Sequence, residues 1–213
     1  MFYRLCSNVV YYGIAAPILF IVTRVFLGVR TVGRIEGKRN LKGAVIVCNH
    51  VHKLDCALVA LALFPRRPIF PTLPKTIDTP VLGFFVRLLG GVPTPRNLSE
   101  MKPFFDKMAQ SVTKGRIVHF FPEGDLVSYD TTIRKFHKGA FLLAARTQVP
   151  IIPIAIEFRP PKGIYKIFRS KPVMLVKIGE PIPPTAADVR EDMRIRPDKV
   201  WEFFVAIFQN TTY

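Results

Sequence analysis

A chain of 213 residues is long enough for one domain with a sizeable core, or one domain with an appendage. Its 31 Lys and Arg against 15 Asp and Glu, a formal charge of +16, call for an anionic partner such as a membrane surface, a phosphorylated substrate or a nucleic acid. The 49% hydrophobic fraction and mean hydropathy of +0.25 are high for a soluble protein, yet no pattern of several spans accompanies them, so lipid contact is expected of part of the chain only.

Residues 9–22 are an almost unbroken apolar run, interrupted at Arg24 and resumed over residues 25–29. A spanning helix needs about 20 apolar residues and would have to carry Arg24 near one end by snorkelling, with Gly13 and Pro17 weakening a straight helix. The run reads as a retained anchor that dips into or lies along one leaflet; a buried soluble helix and a signal peptide are the alternatives. Residues 1–31 are thus expected to be a membrane-associated segment and residues 32–213 the main domain. A polar connector over residues 32–42 joins them. Cys6, Cys48 and Cys56 have no C-x-x-C spacing and read as free thiols of a reducing compartment.

The apolar stretch 44–47 predicts a buried strand, after which the chain reads C-N-H-V-H-K-L-D over residues 48–55. His50 should therefore emerge where a strand ends, with Asp55 opening the next helix. A carboxylate bonded to one ring nitrogen fixes the tautomer and raises the basicity of the other, which can then take a proton from an alcohol. A capping role for either residue is the plain alternative. His50, His52 and Asp55 could also hold a metal with His119 or His137, but no second dense cluster exists and no metal is expected.

Further along, helices are predicted over residues 54–64 and 81–89, then an extended piece through residues 91–96 and an amphipathic helix capped by Ser99. A strand over residues 116–121 runs into Pro122-Glu123-Gly124, and a second acidic residue again stands at a strand exit. A helix over 137–147, strands over 149–158 and 173–178, and a last helix capped by Asp198 complete the pattern. Residues 162–171 mix lysines and an arginine with apolar residues, suited to a membrane surface or to a solvated hairpin. Strands alternating with helices predict an α/β fold with a mixed, mainly parallel sheet flanked by helices. Its strand exits gather His50 with Asp55, Arg96, and Glu123 on one edge.

Four segments carry a resemblance: N-H-x4-D at 49–55, G-x4-R at 91–96, F-P-E-G at 121–124 and V-P-I-I-P-I at 149–154. In this order and at these distances they resemble the blocks of the glycerolipid acyltransferases, the family that includes 1-acylglycerol-3-phosphate acyltransferase. Lys75 between the first two blocks and F-H-K-G-A after the third extend the match over residues 32–183. The resemblance implies a membrane-associated enzyme that moves a fatty acyl group from acyl-CoA or acyl carrier protein to a lysolipid hydroxyl, on the cytoplasmic face of a membrane, peripheral or monotopic. By position His50 is the base and Asp55 its orienting partner, with no cofactor beyond the thioester. Lys75, Gly91, Arg96, Glu123 and Gly124 fall to the acceptor, and Pro153 to the acyl donor or to structure.

Partners implied are the lysolipid acceptor, the thioester and an anionic bilayer; nucleic acid is not expected, because the aromatic-basic motifs of nucleic-acid binders are absent. There is one departure. Relatives acting on lysophosphatidic acid commonly continue the third block with threonine and arginine, where this chain has Asp125-Leu126. Arg134 or Lys135 offers a substitute cation, and the alternatives are another lysophospholipid or a glycolipid acceptor, or a non-catalytic lipid-binding protein on the same scaffold.

Overall fold

The computed structural model describes residues 2–36 and 41–209; residues 37–40 of the predicted connector lie outside them. The N-terminal helix is assembled from α1 (Phe2–Val9) and α2 (Ala16–Ile21), joined and followed by π-helical segments Val10–Ala15 and Val22–Phe26. The first wide turn contains Gly13 and ends two residues before Pro17, which has no N–H to donate to the Gly13 carbonyl. Tyr12 Oη donates to the Pro65 carbonyl at 2.9 Å and Ser7 Oγ to the Leu88 carbonyl at 2.8 Å, so one side of this helix rests on the domain. Most of its large apolar side chains, Ile14, Ile18, Phe20 and Val25 among them, are exposed, which removes the buried-helix alternative.

The elements that follow are β1 (Arg30–Val32), β2 (Ala44–Cys48), α3 (Asp55–Ala62), β3 (Phe70–Thr72), α4 (Pro74–Asp78), α5 (Leu82–Leu88) and β4 (Gly91–Pro93). Then come α6 (Leu98–Thr113), β5 (Ile117–Phe120), α7 (Gly139–Thr147), β6 (Ile151–Arg159), α8 (Tyr165–Phe168), β7 (Val173–Ile178) and α9 (Val189–Phe208). The main sheet has the order β1-β7-β6-β2-β5. β2 runs parallel to both β5 and β6, while β7 is antiparallel to β6 and parallel to β1. β3 and β4 form a second parallel pair, joined to β5 through a parallel bridge between Ile69 and Val118. The expected mixed, mainly parallel sheet is therefore present.

β2 is buried on both faces, and its side chains divide with a period of two. Ala44, Ile46 and Cys48 pack with Leu58, Val59 and Leu63 of the α3 layer; Val45 and Val47 pack with Met108, Ala144, Val200 and Phe204 of the opposite layer. Helices thus cover both faces. Asn49 extends β2 with its side chain, donating to the Ile156 carbonyl at 2.9 Å and accepting from the Ile156 amide at 2.8 Å.

Two helix starts differ from the sequence expectation. Asn97, not Ser99, caps α6: its side chain accepts from the Glu100 amide, and Ser99 Oγ instead donates to Asn97 Oδ1 at 2.6 Å. α9 begins at Val189 with Asp188 as cap and runs through Pro197, so Asp198 lies inside it.

Candidate active site

Because β2, β5, β3 and β4 run in one direction, their C-terminal ends open on one edge, as expected. β2 delivers His50, β5 delivers Phe121 to Gly124, β3 leads to Lys75 and β4 to Arg96. Neighbouring strands lie about 4.8 Å apart, so the three steps from β2 to β4 separate the His50 and Arg96 strands by roughly 14 Å.

Asp55 occupies the first turn of α3 and is fully buried. Its Oδ2 accepts from the Val51 amide at 2.7 Å and the His52 amide at 2.8 Å, and it lies 2.9 Å from His50 Nδ1. Two backbone donors of the turn therefore hold the carboxylate before any substrate arrives. An ionised carboxylate can only accept, so Nδ1 carries the proton and Nε2 the lone pair. The His50 side chain is 20% exposed, and its ring stacks on Phe121 with centroids 3.7 Å apart and planes 9° from parallel. Cys48, two residues before His50, is buried in the α3 layer; desolvation first, then the neighbouring Asp55 carboxylate, holds its thiol well above the ordinary range. It is a packing residue rather than a thiolate nucleophile.

The other expected residues divide into two groups. Glu123 and Gly124 join the dyad: the loop they open donates from Val127 N to the His50 carbonyl at 3.1 Å and from Tyr129 N to the Val51 carbonyl at 2.9 Å. Gly124 has φ of +84°, and a Cβ there would stand 3.1 Å from His137 Nε2. Buried Glu123 accepts from the Arg134 guanidinium at 2.6 Å, and the same guanidinium donates to the Asp125 carbonyl at 2.7 Å. Arg134 is thereby committed to its own loop, which corrects its expected part as a substitute phosphate cation.

Lys75 and Arg96 form the second group, on the β3–β4 flank. Arg96 is exposed and pairs with Asp78 of α4, beside a cavity of about 260 Å³ that Arg87, Thr94 and Phe104 help to line. Gly91 makes its close approach to α5, since a Cβ there would collide with Val86 Cγ1. Pro153 sits inside β6 opposite Val47, with its carbonyl accepting from Gly179 N at 2.9 Å and its ring against the Gly179 position. Its missing N–H falls beyond the end of the β6–β7 ladder, which explains a proline in a central strand.

His52 does not converge with His50 and Asp55 as a ligand trio: its Nδ1 accepts from the Leu54 amide at 3.1 Å and its ring meets the Tyr129 ring edge at 5.7 Å. Among the described residues no group of three His, Cys, Asp or Glu side chains is placed to hold a metal. Sequence reasoning missed Phe121 as the stacking partner and Asp78 as the Arg96 partner; His119, weighed there only as a further metal ligand, is buried with its ring edge-on to Phe121 at 4.4 Å. The F-P-E-G spacing was the one available signal for Phe121.

A histidine–carboxylate dyad at the C-terminal edge of a parallel sheet defines a general-base site able to activate a hydroxyl. The acyltransferase family profile matches residues 30–157. An uncharacterized acyltransferase of Schizosaccharomyces pombe is 33% identical over 193 residues, which cover 85% of this chain and 64% of that protein. The 1-acyl-sn-glycerol-3-phosphate acyltransferases of Arabidopsis thaliana chloroplasts and of Saccharomyces cerevisiae are 32% and 28% identical, over 73% and 89% of this chain and 45% and 61% of theirs. The chain thus spans about half to two thirds of the length of these relatives. The crystal structure of the lysophosphatidic acid acyltransferase PlsC from Thermotoga maritima superposes with a TM-score of 0.62 at 18% identity, covering 99% of this chain and 95% of that one, a likeness of fold. The chain belongs to the acyltransferase family.

Proposed function

We propose that the protein is a membrane-associated O-acyltransferase that moves a fatty acyl group from an acyl-CoA or acyl carrier protein thioester to the free hydroxyl of 1-acylglycerol-3-phosphate, giving phosphatidic acid. The observation that carries the reading is the buried Asp55 carboxylate, fixed by two turn amides and bonded to His50 Nδ1. His50 Nε2 takes the hydroxyl proton while that oxygen attacks the thioester carbonyl carbon. The carbon–sulfur bond of the resulting tetrahedral species breaks, and the imidazolium returns its proton to the departing thiolate. Asp55 stabilises the imidazolium at no cost in reorganisation, because its bonds exist beforehand. No covalent acyl-enzyme is required, in keeping with a Cys48 thiol that is buried and protonated.

Lys75 and Arg96, cations on the same sheet edge, are suited to the acceptor phosphate. Relatives named for this reaction support the acceptor assignment. A second reading, a lysophospholipid with a larger head group or a glycolipid, is favoured by exposed Asp125 after Gly124 and by the commitment of Arg134 to Glu123. The helix Cys6–Phe26 is long and apolar enough to cross a membrane and supports the membrane assignment. The test is transfer of labelled acyl groups from both thioesters to lysophosphatidic acid and to a panel of other lysolipids. Preferred acylation of lysophosphatidic acid is expected; preference for a choline, ethanolamine or sugar head group would replace the acceptor, and transfer to none would leave a lipid-binding scaffold.

A further inference from the structure

The connection between β6 and β7 carries apolar side chains for which the acyl-transfer chemistry has no use. Ile164, Ile167 and Phe168, in and beside α8, are 64%, 78% and 76% exposed, and none of the four residues of α8 is buried. These three side chains gain little by packing on their own domain. The segment is nevertheless held firmly at one point. Tyr165 Oη shares its one proton between the carbonyls of Arg24 and Val25, each at 2.9 Å, and Arg169 donates to the Phe26 carbonyl at 3.3 Å. These are the last carbonyls of the N-terminal helix, which lack donors within it. The Tyr165 ring also fills the space over Gly28, where a Cβ would come within 3.1 Å of it. Exposed Val25 and Phe26 are thereby set beside the exposed face of α8.

The surroundings are cationic: Lys162, Lys166 and Lys171 are exposed on the same connection. Lys171 stands 5.9 Å from the Tyr129 ring, and Tyr129 meets His52 of the His50–Asp55 turn. An apolar patch continuous with an exposed apolar helix, rimmed by lysines and next to the catalytic turn, matches the chemistry of an anionic lipid surface.

We infer that the β6–β7 connection is a membrane-inserting wedge: Ile164, Ile167 and Phe168 enter the acyl boundary of an anionic bilayer, its lysines meet the head-group phosphates, and Tyr165 and Arg169 lock it to the end of the N-terminal helix. The mouth of the dyad then faces the leaflet from which a lysolipid enters, a consequence that rests on the acyl-transfer reading.

The test places an indole in the wedge of the 213-residue chain, as Ile167→Trp in a Trp201→Phe background, reconstituted into phosphatidylcholine vesicles with or without phosphatidylglycerol. With lipids brominated on the acyl chain, blue-shifted and quenched emission is expected, strongest in the anionic vesicles. Emission of a water-exposed indole in both would overturn the wedge, as would burial that appears without lipid and follows protein concentration, the mark of self-association. A second variant, Ile167→Ser with Phe168→Ser, should lose about ten-fold in kcat/KM for lysolipid embedded in vesicles and keep its rate on a short-chain monomeric lysolipid. Equal rates on embedded lysolipid would also overturn it. Quenching in a protein that acylates neither substrate would leave the wedge standing and remove the acyl-transfer reading.

Discussion

Neither ring nitrogen of His119 has a hydrogen-bond partner among the described residues, although the side chain is 2% exposed and lies against Phe70 and Phe121. Burial, with a smaller push from His50, drives its imidazole from 6.5 down to about 3. The folded protein therefore keeps His119 neutral where the unfolded chain takes up a proton. Stability is full above the unfolded value and falls as pH drops from 6.5 towards 3, at about 1.4 kcal/mol per pH unit from this residue. Urea unfolding of His119→Leu at pH 7 and pH 4.5 should show a shallower acid loss than wild type; parallel losses would refute this. Asp55→Asn tests the dyad: an amide in place of the carboxylate favours the wrong His50 tautomer, and acyl transfer should fall by roughly 10³-fold with the fold intact by circular dichroism. His50 and Asp55 were legible from sequence because five positions across a strand-to-helix turn are enough to bring them together. Arg134 with Glu123 and Asp78 with Arg96 were not, since the first pair meets across a folded loop and the second joins two separate segments.

At the scale of elements, α9 is pinned to the domain through a buried ion pair. Arg196 bonds Asp192 one turn away and donates to the Val149 carbonyl at 2.8 Å, while Asp192 accepts from the Thr185 amide at 2.8 Å and hydroxyl at 2.9 Å. Desolvation alone would raise the Asp192 carboxyl; the Thr185 bonds and the Arg196 charge outweigh it and hold the carboxyl below its ordinary value. The pair's contribution is therefore present above the ordinary carboxylate range and is lost as pH falls through the lowered value. Asp192→Ala would strand a buried guanidinium and should cost about 3–5 kcal/mol in denaturant unfolding. Asp192→Leu combined with Arg196→Met should cost clearly less; equal losses would mean that the charge is not the cause. The start of α9 was hidden from sequence because residues 189–196 show no apolar stripe and Pro197 reads as a helix boundary, whereas β2 was plain from an unbroken apolar run and β6 from an apolar run that only Pro153 and Glu157 interrupt before its last residue. The α6 cap was displaced by two residues because Leu98, 89% exposed, gives no periodic cue between two good capping residues.

Across the whole molecule, one sheet edge collects the ends of four parallel strands, and an apolar helix of 21 residues stands against the domain with most of its surface uncovered. At no more than the α-helical rise of about 1.5 Å per residue that helix reaches up to roughly 31 Å, close to the thickness of a bilayer's hydrocarbon core. Salt washes should leave the protein in the membrane fraction and detergent should release it; release by salt alone would reduce membrane attachment to the charge of +16. The order of the four sequence blocks made the shared edge legible, while the wedge beside it depends on contacts between residues about 140 positions apart, beyond any local pattern. The central claim is tested most directly by acyl transfer from a labelled thioester to lysophosphatidic acid by wild type and by His50→Ala, with folding checked by circular dichroism. Product from wild type and a loss of about 10³-fold in the variant are predicted; a variant that keeps near wild-type rates would show that His50 is not the base.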